Sequence, residues 1–228
     1  MMPSVAVILL SYNRPRMLCE ALGTCLGADQ LIVTDDGSDF DVTELVTGCR
    51  PDAEFVINSK MTVAERLKTA RVGNLINRAL SLVRCDVVTY LCDDDLFHPH
   101  WLPAVRAYFG AYPGEHWCRG AWFAWDEDDP AATQTRCKLD ARQLTTGNFA
   151  HRAVCFHKER IAWDETTIAS HDNAFLLNAQ RVHDMRRVPF VGAVAGWRRL
   201  HKHNALPYAA ADGYTKDGAA LFANTFLE

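Results

Sequence analysis

The chain has 228 residues, 49% of them hydrophobic, and a formal net charge of −4. That length and apolar content suit one large domain with its own core. The charge balance excludes a global basic field of the kind that recruits nucleic acid or an anionic membrane.

The predicted elements alternate from the start. Strand Val5–Leu10 leads to a helical stretch from Pro15 to about Leu26. Strand Leu31–Thr34 ends in Asp35-Asp36-Gly37-Ser38, and a short helix follows around Val42–Val46. Phe55-Val56-Ile57 reads as a third strand. Leu67, Leu75, Ile76 and Leu80 recur at helical spacing, which predicts one long helix from Val63 to Val83. Strand Val87–Leu91 and a helix from Pro99 to about Phe109 complete a βα series that argues for a mostly parallel sheet. After Tyr112 the pattern changes. Trp117, Trp122 and Trp125 read as core residues, and loops and short strands run from Asp126 to Asn148. Strand Val154–His157, a helix from Asp172 to Val182 and an apolar run Val188–Trp197 follow. The expected architecture is α/β, a mostly parallel sheet flanked by helices, with residues 113–228 forming a smaller portion on the same sheet within a single domain of residues 1–228.

Eight scattered cysteines include no C-x-x-C pair. Their spacing yields neither a zinc motif nor a disulfide framework and favours a reducing compartment. The sequence opens almost at once with a strand, without a signal peptide's basic segment and cleavage site, and no apolar run reaches membrane-spanning length. A cytoplasmic protein without membrane insertion is expected.

Chemistry concentrates where three strands end. An apolar run stopping in Cys92-Asp93-Asp94-Asp95 reads as a buried strand delivering carboxylates to the carboxyl edge of a sheet, where open α/β sheets bind ligands. Three adjacent carboxylates repel one another, and a hard divalent cation bridging them to phosphate oxygens relieves this. The plainer alternative is a solvated acidic turn. The first strand ends in Ser11-Tyr12-Asn13-Arg14-Pro15, a polar turn with backbone N–H groups and a ring that can stack on a base. It reads equally as a simple strand-to-helix turn. Asp36, in an Asp-Gly turn, offers a carboxylate to a base or ribose. Arg66, Lys68 and Arg71 sit near the start of the long helix, where cations oppose the helix dipole. They therefore need an anionic partner or a purely solvated face.

Taken in order, S-Y-N-R-P, D-D-G-S, the E-R-x-K-x-x-R helix and the strand ending in D-D-D resemble glycosyltransferase family 2 with the GT-A fold. Val63–Ala79 is most similar to the spore-coat polysaccharide branch of that family. The resemblance covers about residues 4–110 and continues more weakly to about 205. It implies that Tyr12 packs on the uracil of a nucleotide-sugar and that Asp36 hydrogen-bonds the ring nitrogen. Arg66 would lie near the nucleotide and Asp93 at the ribose, while Asp94 or Asp95 would coordinate the metal at the diphosphate. Ser170-His171-Asp172-Asn173 resembles the family's Glu-Asp motif, with His171 in place of Glu, which makes Asp172 the general base. As a helix N-cap it would need no such role; Asp164 and Asp126 are the substitutes. Arg199-Leu200-His201-Lys202-His203-Asn204 resembles the segment that closes over the diphosphate, with Arg199 on the phosphates and His201 on the metal.

The expected activity is therefore a Mn²⁺- or Mg²⁺-dependent transfer from a UDP-sugar to a hydroxyl acceptor, inverting the anomeric carbon. The acceptor is left open among a glycan, a small molecule and a modified base in DNA. The alternative from another class is a nucleotide-sugar-binding protein without transferase activity.

Overall fold

The computed structural model describes residues 2–66, 68–126, 144, 146–166 and 171–200. In chain order these form β1 (Val5–Ser11), α1 (Pro15–Thr24), β2 (Gln30–Asp35), α2 (Val42–Thr47), β3 (Glu54–Ile57), α3 (Val63–Arg66) and α4 (Val72–Leu80). There follow β4 (Val87–Cys92), β5 (Asp95–Phe97), α5 (Trp101–Ala111), β6 (Trp117–Asp126), β7 (Phe149–Arg152), α6 (Val154–His157), α7 (His171–Gln180) and β8 (Phe190–Leu200), with a 3₁₀ turn at Met185–Arg187.

All these strands join one eight-stranded sheet in the order β3-β2-β1-β4-β7-β6-β8-β5. The first four run parallel, as the βα alternation requires. β7 is antiparallel to both β4 and β6, β8 runs parallel to β6, and β5 is antiparallel to β8. The sheet is therefore mixed beyond β4. Because side chains alternate along a strand, β1 sends Val5, Val7 and Leu9 to one face and Ala6 and Ile8 to the other. The first face packs against Leu18 and Leu22 of α1 and Trp101, Val105 and Phe109 of α5. The second packs against Leu75, Ile76 and Leu80 of α4 and Phe175 and Leu176 of α7. Burial on both faces explains the near-continuous apolar runs of β1, β2 and β4. Trp117 and Trp122 are core residues, as expected.

The structure corrects three elements. The helix predicted from Val63 to Val83 is two helices with a break between Arg66 and Val72. The break follows from Arg66 and Arg71, whose guanidinium groups both meet Asp36. Residues five apart on a straight helix point in well-separated directions, so the chain bends to aim both at one carboxylate. Val154–His157 is a helical turn, not a strand; the strand lies just before it, at Phe149–Arg152. A four-residue apolar run does not distinguish the two. Asp95-Leu96-Phe97, to which the sequence assigned no element, is the short strand β5. Helix α7 is described over His171–Gln180, within the region predicted as helix from Asp172 to Val182 apart from its first residue.

Among the described residues, no helix is long and apolar enough to cross a membrane. The acidic stretch after Asp126, residue Ser170, the segment from His201 to Asn204 and the C-terminal tail lie outside the described residues.

Candidate active site

Strand order runs 3-2-1 and then reverses to 4, so the chain switches direction across the sheet between β1 and β4. In open α/β sheets, ligands bind in the crevice outside the carboxyl ends of the strands at such a point. Register aligns the ends: Leu10 pairs with Cys92, and Ser11 with Asp35. The turns after β1, β2 and β4 thus leave the sheet side by side. This brings together Tyr12, Arg14, Asp36, Asp93, Asp94 and Asp95, which are scattered over more than eighty positions in the sequence.

Asp36 is the hub of one half. Its Oδ2 lies 2.7 Å from a terminal nitrogen of Arg66, and its Oδ1 lies 2.8 Å from Arg71 Nε. Asn58 Nδ2, just past β3, also donates to Oδ1 at 2.9 Å. Arg66 donates in addition to the Asp36 carbonyl at 2.6 Å, and Arg71 to the Ser59 carbonyl at 2.6 Å. These charges are buried, which is tolerable only because each is paired. The cations near the helix start therefore have an internal carboxylate partner. Two features face beyond this network. Arg71 Nη1 is buried without a hydrogen-bond partner, and the Arg66 guanidinium stacks 3.4 Å from the centre of the Tyr12 ring. The backbone turn that carries Asp36 is held by Asp35, whose carboxylate accepts from Gly37 N at 3.0 Å and Ser38 N at 2.8 Å. Gly37 has φ 81°, and a Cβ there would meet the Ser59 carbonyl oxygen at 2.6 Å.

Asp93 is the hub of the other half. It accepts from Tyr12 N at 2.8 Å and from Arg14 at 2.8 Å. Burial pushes its pKa up to about 6, against the pull of Arg14. Arg14 also reaches Asp94 at 3.2 Å. Ser11 is buried with its Oγ unpartnered. Asn13 turns away: at φ 51° it exchanges hydrogen bonds with Asp39, donating at 3.1 Å and accepting from Asp39 N at 2.6 Å.

Asp94 and Asp95 each place a carboxylate oxygen within 4.8 Å of the other and of Cys92 Sγ. Burial, reinforced by the three aspartates, holds the Cys92 thiol well above its usual pKa and so protonated. That leaves two hard oxygen donors at the lip of the crevice. The donor set fits Mg²⁺ or Mn²⁺, which take one or two carboxylates and complete their shell with water and phosphate oxygens.

The remaining predicted residues are placed less directly. Asp172 lies in the first turn of α7, half-buried. Asp164 instead closes a local turn, its Oδ1 accepting from Thr166 N at 2.7 Å. The backbone of Arg199 is on β8, and register sets its neighbour Arg198 opposite Asp95, so β8 runs past the acidic tip as it ends. His201 lies outside the described residues. Sequence reasoning passed over Asn58, whose signal was its place at the end of a third strand on the same edge, and the tie from Arg14 to both Asp93 and Asp94.

A family model described as Glycosyl transferase family 2 matches residues 6–175. The chain belongs to glycosyl transferase family 2. The match spans the ends of β1, β2, β3 and β4 and the start of α7. A curated relative, Protein CgeD of Bacillus subtilis (strain 168), is 34% identical over 114 residues, covering 48% of this family 2 chain and 27% of CgeD. Among solved structures, S. aureus TarS 1–349 superposes with a TM-score of 0.61 at 13% identity, covering 91% of this chain and 63% of that one. A complex of TarS 1–349 with UDP-GlcNAc gives 0.62 at 13% identity, covering 88% of this chain and 60% of that one. At such identities the likeness shows the fold, which is that of the GT-A glycosyltransferases. This family 2 chain spans less than two thirds of the length of each of these relatives.

Proposed function

We propose that this chain is a divalent-metal-dependent glycosyltransferase that moves a sugar from a UDP-sugar to a hydroxyl acceptor with inversion. The observation that carries this reading is the convergence of Tyr12, the Asp36–Arg66–Arg71 network and Asp93–Asp95 at the switch point of a family 2 fold. The UDP-GlcNAc complex of TarS supports a uridine donor.

Each residue then has a task. Asp36 and Tyr12 border the base, with Arg66 and Arg71 as nearby cations. Both Asp36 oxygens are already engaged, so a uracil N–H reaching it shares or replaces one of those bonds. Asp93, fixed by Tyr12 N and Arg14, faces the ribose and holds the β1 turn in place. Asp94 and Asp95 would hold Mn²⁺ or Mg²⁺, which when bound neutralises the charge of the leaving diphosphate. Arg199, and His201 after it, would add to that neutralisation from the end of β8. Asp172, as a single carboxylate on the acceptor side, would take the proton from the attacking hydroxyl, and one such base implies direct displacement with inversion.

Thermal unfolding with UDP and a panel of UDP-sugars, with and without Mn²⁺, tests the donor site, because a ligand bound to the folded state raises Tm. A metal-dependent rise should appear in the wild type and vanish in the Asp94→Asn, Asp95→Asn double variant. Asp172→Asn should keep that rise while losing sugar transfer. The absence of a shift with every uridine nucleotide would sink the proposal.

A further inference from the structure

A second cluster of ionisable groups lies apart from the strand-end site. It comprises His116 just before β6, Cys155 in α6, Glu159 two residues past α6, and His183 between α7 and the 3₁₀ turn. Their donor atoms all lie within 4.8 Å of one another. His183 Nε2 sits 2.7 Å from Glu159 Oε2, and His116 Nδ1 sits 3.1 Å from Oε1. The two imidazole rings are 4.9 Å apart. Helical turning brings the thiol and the carboxylate to one side, since Cys155 and Glu159 are four residues apart and Glu159 N donates to the Val154 carbonyl at 3.2 Å.

Hydrogen bonding alone does not satisfy this cluster. His116 Nδ1 is near Glu159 but poorly aligned with it, and it remains buried with no hydrogen-bond partner. A buried ring nitrogen in that state costs free energy. Beneath it lies Cys155, fully buried. One thiolate, one carboxylate and two neutral imidazoles balance a dication. The mixed sulfur, nitrogen and oxygen donors disfavour Mg²⁺ and Ca²⁺ and suit Zn²⁺.

We propose that His116, Cys155, Glu159 and His183 form a structural zinc site. Zinc bonds of about 2.0–2.3 Å hold tetrahedral donors roughly 3.4–3.6 Å apart. The donor atoms, 2.7 Å to at most 4.8 Å apart, would have to adjust to that spacing, and the two histidines, with side chains 34% and 20% exposed, have the room to turn. A cleft of about 350 Å³, lined by His116, His183, Asp184 and Arg187 among others, gives the ion a path from solvent. Four protein donors leave no open position for a substrate, so the role is to fasten. The ion would join the start of β6, the α6 turn and the far end of α7, the helix whose first turn carries Asp172.

The test is metal binding by the full chain. The wild type should retain one equivalent of Zn²⁺ in competition with a chromophoric chelator, and with Co²⁺ it should show a thiolate-to-metal charge-transfer band. Cys155→Ser should abolish the band. Because a buried serine can compromise folding, His183→Ala provides a second variant at a part-exposed position. It should weaken Zn²⁺ binding by more than the roughly 10–100-fold that loss of a supporting contact costs. The Asp94→Asn, Asp95→Asn variant should keep the band. A folded wild type that binds no stoichiometric Zn²⁺, or a band that survives in Cys155→Ser or is lost with Asp94 and Asp95, would overturn the proposal.

Discussion

The carboxyl edge of β1, β2 and β4 and the face of the sheet around β7 both bury polar groups, but they do so by opposite means. At the edge the groups are charged and paired: Asp36 with Arg66 and Arg71, Asp93 with Arg14. Around β7 they are neutral and stacked. The Tyr90 hydroxyl meets His151 Nε2 at 2.7 Å, and His151 lies under Trp117 with ring centres 4.7 Å apart. Burial lowers the His151 pKa to about 4, which keeps the imidazole uncharged near neutrality. The difference tells the two regions' tasks apart. Neutral stacking is sufficient where only packing is needed, because it carries no charge desolvation. Buried ions at the edge suit the charged donor proposed for it, in an arrangement set before such a ligand arrives.

Breaking the charged side should have the largest effect. Asp36→Ala leaves Arg66 and Arg71 buried without their shared carboxylate, and the expected loss is about 3–5 kcal/mol, read from the urea midpoint. A loss no larger than that of an average surface substitution would mean the edge is wet and its pairs are weak.

The neutral side is broken by acid. Between pH 6.5 and about 4 the unfolded chain protonates His151 while the folded chain does not. Stability therefore rises with pH across that window, is fully present above it, and is lost as pH falls, by roughly 3 kcal/mol. His151→Gln should flatten this limb of the stability–pH curve, whatever its effect at neutral pH.

An exposed pair sharpens the contrast from the opposite end. Arg84 forms two bonds to Glu54, at 2.6 and 2.9 Å, yet its side chain is 69% exposed. Solvent and salt screen such pairs, so Arg84→Ala should leave the urea midpoint within experimental scatter.

The same contrast explains what was legible in the sequence. β1, β2 and β4 announce themselves because both their faces are buried and their polar ends stop the apolar runs abruptly, which is why Tyr12, Asp36 and Asp93–Asp95 stood out. The break between Arg66 and Val72 did not show, because it is imposed by Asp36, thirty residues earlier, and local helical spacing continues across it. β5 was hidden for a related reason. Three residues after an acidic turn become a strand only because β8 supplies the ladder. The His116–Cys155–Glu159–His183 cluster has no sequence signature at all beyond the four-residue spacing of Cys155 and Glu159. Its members come from three separate segments, and cysteine spacing alone gave no sign of a metal.

The pairing of β5 with β8 has a consequence for the order in which the protein takes shape. Asp95, opposite Arg198 in that ladder, cannot be fixed until about a hundred further residues have left the ribosome. β1 to β4 can assemble from contacts that are nearer in the chain, whereas Asp95 waits for the last described strand. Closing so long a loop is slow, and until it happens Asp95 lacks its ladder while Asp93 and Asp94 already have Arg14. If Asp94 and Asp95 hold a hard cation as proposed, that competence should be among the last properties acquired during synthesis, well after most of the sheet is in place.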